Sequence, residues 1–223
     1  MTITTDKNAE TAKQNCSQEK KQPSQLNGCT TAATKRPTVS EAEDAVRTLI
    51  AWAGDDPKRD GLIDTPKRVV KAYREFFKGY DEDPKEILAR TFEEDAGYKD
   101  MVMLRGIDMY SHCEHHMVPF IGQVHIAYFP TCKVVGISKL ARIVETFARR
   151  LQTQETMTAQ IANAIDEGLT TKGSAVMIEA VHQCMSLRGV QKPNVATITT
   201  HFTGIFEQQQ DYKDRFMGLA KND

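Results

Sequence analysis

The sequence predicts an α+β fold, an antiparallel sheet with two helices on one face, preceded by N-terminal helices. Three observations lead there. "GQVHIAYF", Gly122 to Phe129, alternates so that Val124, Ile126 and Tyr128 oppose His125, Ala127 and Phe129, the period of a strand. "SKLARIVETFARR" and "TQETMTAQIANAIDEGL" carry apolar residues at helical spacing. Met101 to Tyr110 before them, and "SAVMIEAVHQCM" and "VATITTHFTGIF" after, read as strands, the last two dense in Val, Ile and Thr. The order is strand, strand, helix, helix, strand, strand.

Residues 1–37 are rich in Thr, Gln, Asn, Ser and Lys and nearly free of large apolar side chains, so they are read as a disordered tail carrying Cys16 and Cys29. Asp6, Glu10 and Glu19 precede the first arginine, Arg36, which argues against a transit peptide. The domain is expected over 38–223, helical at 38–98 and sheet-forming at 99–223. A helix begins near Thr38 with Ser40 as its cap and Ala45, Leu49, Ile50 and Trp52 as its apolar stripe. A turn-rich loop leads to a second helix capped by Thr65 with Pro66 in its first position. A third short helix is expected from Pro84 to Arg90. Ser138 is expected to cap a helix running to Leu151, and Asp211 to Leu219 closes the chain as a last helix.

A chain of 223 residues with net charge −1 suits one core with an appendage and excludes a protein that coats polyanions through bulk charge. The sequence holds no apolar run near the roughly 20 residues of a membrane helix, and a cytoplasmic protein is expected. Five cysteines, an odd number at irregular spacing, are unlike a disulfide framework and direct attention to metal.

Thiolate and imidazole bind zinc, and catalytic sites keep three protein ligands with one position open. Cys113-x-x-His116 puts two such groups on one turn, with His115 pointing elsewhere. In "EAVHQCMSLRG", His182 and Cys184 are two apart and would share a strand face. Cys113, His116 and Cys184 form the candidate ligand set for Zn2+, leaving His115 and His182 within reach of it. The bland reading is two buried thiols and hydrogen-bonded histidines. The neighbouring His112, Glu114 and His115 weigh against it. His112-Cys113-Glu114 also matches half of a nucleobase deaminase signature, but the chain contains no C-x-x-C to complete it.

Lys139, Arg142 and Arg149 fall on one stripe of their helix while Leu140, Val144 and Phe147 face the core. Lys139 stands in the first turn, where the helix dipole gives a cation nothing and favours an anion. Lys67, Arg68 and Lys71 crowd another helix start, and Arg188 follows the second metal segment. Each alone reads as a solvated charge; together they suit a polyphosphate. Gln154 and Glu155 open the next helix, where Glu is favoured by the dipole, or alternatively accepts hydrogen bonds from a guanine.

"DTPKRVVKAY", "CEHHMVPFIG", "GISKLARIVETFARRLQTQE" and "VHQCMSLRGV" together resemble the GTP cyclohydrolase I family, in the right order from about Thr38 to the C-terminus. The resemblance implies conversion of GTP and water into 7,8-dihydroneopterin triphosphate and formate, the first step of folate and tetrahydrobiopterin synthesis. It implies Cys113, His116 and Cys184 as zinc ligands, the zinc supplying an activated water for attack at C8 of the guanine. It implies His182 as general acid at N7, and His115 with Ser138 in opening the ring and the ribose. Gln154 and Glu155 would hold base and sugar, and Arg68, Lys71, Lys139, Arg142 and Arg188 the triphosphate. The family's tunnelling fold joins subunits into a β-barrel and stacks two five-membered rings into a homodecamer with sites between subunits, with neither nucleic acid nor membrane as partner. After Glu155 the chain has Thr156-Met157 where the family commonly has Arg-Leu. The rival readings are another tunnelling-fold pterin or deazapurine enzyme, and a non-catalytic oligomer that binds nucleotide and keeps zinc structurally.

Overall fold

The computed structural model describes residues 36–89, 91–93, 98–131 and 133–221. The tail reading, with Cys16 and Cys29, lies outside the described residues except at Arg36 and Pro37, as do Arg90 and Cys132. The described residues divide into two units, one ending at Lys67 and the other beginning at Arg68.

In the first unit α1 spans Val39–Trp52. Its cap is Thr38 rather than Ser40: the Thr38 hydroxyl accepts from Glu41 N–H, and the Glu41 carboxylate accepts from Thr38 N–H at 2.7 Å. This reciprocal pair satisfies two free backbone donors and outcompetes Ser40, which becomes the second residue of the helix. The expected apolar stripe is present but none of α1 is buried, and Trp52 is 85% exposed. In the following turn Arg59 grips Asp55 through two bonds of 2.7 Å, and these hydrogen bonds hold the Asp55 carboxyl at about 2. α2 covers Thr65–Phe76, so Thr65 is its first residue and Pro66 its second.

The second unit continues from Arg68 along α2 through a 3₁₀ turn, Lys78–Asp81, to α3, Pro84–Leu88, which Asp83 caps by accepting from Lys85 N–H. The next elements are β1 (Thr91–Glu93), β2 (Val102–Cys113), β3 (Pro119–Phe129), β4 (Lys133–Val135), α4 (Ile137–Ala148), β5 (Leu151–Gln152) and α5 (Gln154–Leu169). Then come β6 (Gly173–His182), α6 (Gln183–Ser186), β7 (Ala196–Phe202), α7 (Gly204–Gln208) and α8 (Gln210–Lys221). The main sheet has the order β5-β2-β3-β6-β7; its long strands are antiparallel, and the two-residue β5 lies parallel to β2.

The alternation of β3 is realised on both faces. Val124, Ile126 and Tyr128 join Leu140, Ile143 and Val144 of α4 and Met157, Ile161 and Ile165 of α5 in the main core. Each such side chain contributes about 1.5–3 kcal/mol by leaving water. Ala127 and Phe129 face the other way, into a smaller cluster with Phe206 of α7 and Phe216 of α8. Ser138 is not a cap. Gly136 holds that position with no side-chain bond, Ser138 is the second helical residue, and the helix stops at Ala148. Arg149 leaves the expected stripe, donating from Nε to Glu145 Oε2 at 3.1 Å.

Candidate active site

The metal triad is assembled by one hairpin and one strand end. β2 ends at Cys113, whose N–H donates to Val118 O at 2.9 Å while Met117 N–H returns to Cys113 O at 2.8 Å. Met117 adopts φ 54°, which closes this turn. Glu114 N–H donates to Gln152 O at 3.0 Å and fastens the turn to β5. His116 is thereby folded back over Cys113, with Sγ and Nδ1 3.9 Å apart. The third donor follows from register: Phe120 of β3 pairs with His182, the last residue of β6, so the chain leaving His182 passes beside the hairpin.

The expectation that Cys184 shares a strand face with His182 is not met. β6 stops at His182, and Cys184 sits in the single turn α6, tied by Leu187 N–H to Gln183 O at 2.9 Å and by Ser186 Oγ to His182 O at 3.1 Å. That turn carries the thiol into the triad, where the donor atoms of Cys113, His116 and Cys184 all lie within 4.8 Å of one another. Donors around a tetrahedral zinc stand roughly 3.5 Å apart, so the side chains close on an ion with movements of about an ångström. Burial pushes the Cys184 thiol up, and the Cys113 thiol beside it adds to the effect. Two adjoining sulfurs and an imidazole suit a shared cation, so the donor set fits zinc.

His182 is half-buried, its ring stacked on Phe120 at 4.6 Å and 1°. Its Nε2 lies 2.7 Å from Gln154 Oε1. Burial holds its pKa below the usual histidine range, with the Glu155 carboxylate pulling the other way, so the structure brings Glu155 near His182. His115 is exposed on the hairpin, 3.5 Å from Glu114 Oε1 and edge-on to the His116 ring at 6.3 Å. His112 instead turns into an aromatic nest, its ring 4.8 Å from Phe76 and 5.2 Å from Phe77.

Of the basic set, the structure brings Arg188 to the triad, its Nη1 3.0 Å from His116 Nε2. Lys139 and Arg142 line a cleft of about 560 Å³ with Lys78, Asp81, Glu82 and Glu145, and none of Cys113, His115, His116, His182 or Cys184 is in that lining. Ser138 is exposed at the start of the same helix, and Arg68 and Lys71 are exposed on α2. Gln154 is 1% exposed, its amide turned into the protein. Phe120, Thr158 and Thr199, which complete the surroundings of His182 and Gln154, were not singled out from the sequence; the register of β3 against β6 is the signal that would have found Phe120.

Fold and site define a class of protein: an α+β domain in which a thiol–imidazole triad able to hold zinc adjoins a half-buried histidine. The family model for GTP cyclohydrolase I matches residues 42–221. "GTP cyclohydrolase 1" of Hyphomonas neptunium is 64% identical over 186 residues, 83% of this chain and 90% of that protein. The protein of the same name from Maricaulis maris is 62% identical over 190 residues, 85% of this chain and 93% of that one. A solved structure, the apo archaeosine synthase QueF-Like, aligns with TM-score 0.41 and 14% identity over 48% of this chain and 96% of its own. The chain belongs to the GTP cyclohydrolase I family, and its strand-strand-helix-helix-strand-strand core is the one expected for that family's tunnelling fold.

Proposed function

We propose that the protein is a zinc-dependent cyclohydrolase that converts GTP and water into 7,8-dihydroneopterin triphosphate and formate, supplying folate or tetrahydrobiopterin synthesis in the cytoplasm. The observation that carries this reading is the convergence of Cys113, His116 and Cys184 within 4.8 Å in a chain of this family. When bound there, zinc supplies a Lewis acid and an activated water at neutral pH.

The chain's own residues do the rest. His182, held against Phe120, moves a proton at the imidazole of the guanine. His115, exposed on the same hairpin, serves the later proton transfers of ring and ribose opening, with Ser138. Glu155 accepts from the guanine N1–H and 2-amino group. Arg188, beside the triad, and Arg68, Lys71, Lys139 and Arg142 hold the triphosphate. The separation of the Lys139–Arg142 cleft from the triad's residues supports a site built between subunits, one copy presenting the triad and another part of the basic set, as in a decamer of two stacked rings.

The test is turnover of GTP by the zinc-loaded protein, with formate and oxidised pterin measured together. His182→Ala separates this reading from a zinc-keeping binding protein: an enzyme loses turnover and retains about one zinc per chain, whereas a binding protein binds GTP unchanged.

A further inference from the structure

Gln154 is held by more bonds than a residue reserved for substrate needs. Its Nε2 lies 3.0 Å from Ile178 O, 2.9 Å from Thr197 O and 3.1 Å from Thr199 Oγ1. Thr199 Oγ1 is itself 2.7 Å from Thr158 Oγ1, and Thr158 Oγ1 donates back to Gln154 O at 2.6 Å. Two backbone carbonyls accept only, so the end of the amide facing them must be the NH₂. Reversing the amide would set its oxygen against both. Oε1 is therefore fixed toward His182, 2.7 Å from Nε2, and accepts from it. A neutral imidazole that donates at Nε2 keeps its lone pair at Nδ1.

We infer that Gln154, locked by Thr199 and Thr158, is a positioning residue that holds the proton of His182 on Nε2, so that His182 works through Nδ1. The inference rests on the reaction proposed above and moves Gln154 from substrate contact to support of His182. Its chemistry is a bare proton transfer. His182 enters neutral, takes one proton at Nδ1 from the water the reaction consumes, and returns that proton from Nδ1 to the base, while the other proton stays on Nε2, donated to Gln154 Oε1 throughout. Phe120 fixes the ring plane and Gln154 its rotation within the plane. Thr199, at the far end, touches neither His182 nor any triad residue through a bond found among the described residues.

Three variants and one spectrum test this. Thr199→Val should lower kcat about tenfold while KM for GTP stays within about twofold and zinc content is unchanged, the pattern for lost support of a reacting group. Thr199→Ser, which keeps the hydroxyl, should restore kcat. Thr158→Val, which removes the other hydroxyl, should reproduce the split should Thr199→Val fold poorly. In ring-¹⁵N-histidine-labelled, zinc-loaded protein, the His182 signals, assigned by loss in His182→Ala, should show a protonated Nε2 and a bare Nδ1. A rise in KM with kcat unchanged would return Gln154 to substrate contact, and wild-type kcat in both valine variants, or a protonated Nδ1 at rest, would overturn the inference. Should the wild type make no pterin, the proposed reaction fails, and the ¹⁵N spectrum still decides the positioning.

Discussion

The guanidinium of Arg188 donates to His116 Nε2 at 3.0 Å, while Nδ1 of the same ring faces Cys113 Sγ at 3.9 Å. A guanidinium only donates, so Nε2 is bare in this arrangement and the ring proton sits on Nδ1. Binding a metal through Nδ1 requires the opposite tautomer, which releases Arg188 for another acceptor. Arg188→Ala should therefore keep about one zinc per chain while KM for GTP rises about tenfold or more, the loss of one charge-assisted phosphate contact. Metal analysis beside steady-state kinetics checks it. Loss of zinc in this variant would mean that Arg188 supports the ligand instead.

Removing a donor should act on the metal first. Cys113→Ser and Cys184→Ser each leave two of the three donors that meet within 4.8 Å. Zinc content should fall to about a tenth of wild type or below, since thiolate supplies most of the affinity at such sites. Treating the wild type with a chelator should abolish turnover, and restoring zinc should recover it. Elemental analysis and the product assay read both.

His125 offers a pH test away from the triad. It is buried on β3, and its Nδ1 has no partner. Burial, reinforced by the Arg105 charge and opposed by Glu179, holds its pKa below the ordinary histidine value. Between that lowered value and the unfolded value of about 6.5, the unfolded chain binds more protons. The contribution is thus fully present above about pH 6.5 and declines as pH falls through the window. His125→Gln should flatten the fall of Tm between neutral and mildly acidic pH, measured by thermal unfolding. His112 and His182, lowered in the same direction, should leave part of the slope in place.

Gly79 is a packing test. Its N–H donates to Arg149 O at 3.1 Å, and its carbonyl accepts from Arg150 Nε at 2.9 Å. A Cβ there would collide with the carbonyl oxygens of Thr146 and Arg149 at the end of α4, the helix that carries Lys139 and Arg142. Gly79→Ala should cost about 1–3 kcal/mol, as overpacking does, and calorimetry should show the fall in Tm.

What could be read from the sequence was what short-range chemistry dictates. Cys113 and His116 are brought together by a turn of their own, so their spacing already implied the contact. The helices α4 and α5 and the strands β2, β3, β6 and β7 followed from periodicity and composition. Cys184 does join Cys113 and His116, but on a backbone other than the strand expected: the bond from Ser186 back to His182 O closes a helical turn that strand propensity does not foresee. The cap of α1 is legible as Thr38-x-x-Glu41, the reciprocal pair that forms there in place of a cap at Ser40. The inward turn of the Gln154 amide was beyond reach. A polar residue at a helix start reads as exposed, and only the placement of Thr197 and Thr199 on β7 shows why its amide faces inward.

The central claim is tested most directly by incubating the zinc-loaded protein with GTP and quantifying formate and pterin in the same sample. The account predicts the two in equal amounts, with the three phosphates retained on the pterin side chain and none of either product after zinc is removed. A fully zinc-loaded, assembled protein that binds GTP and releases neither would contradict it.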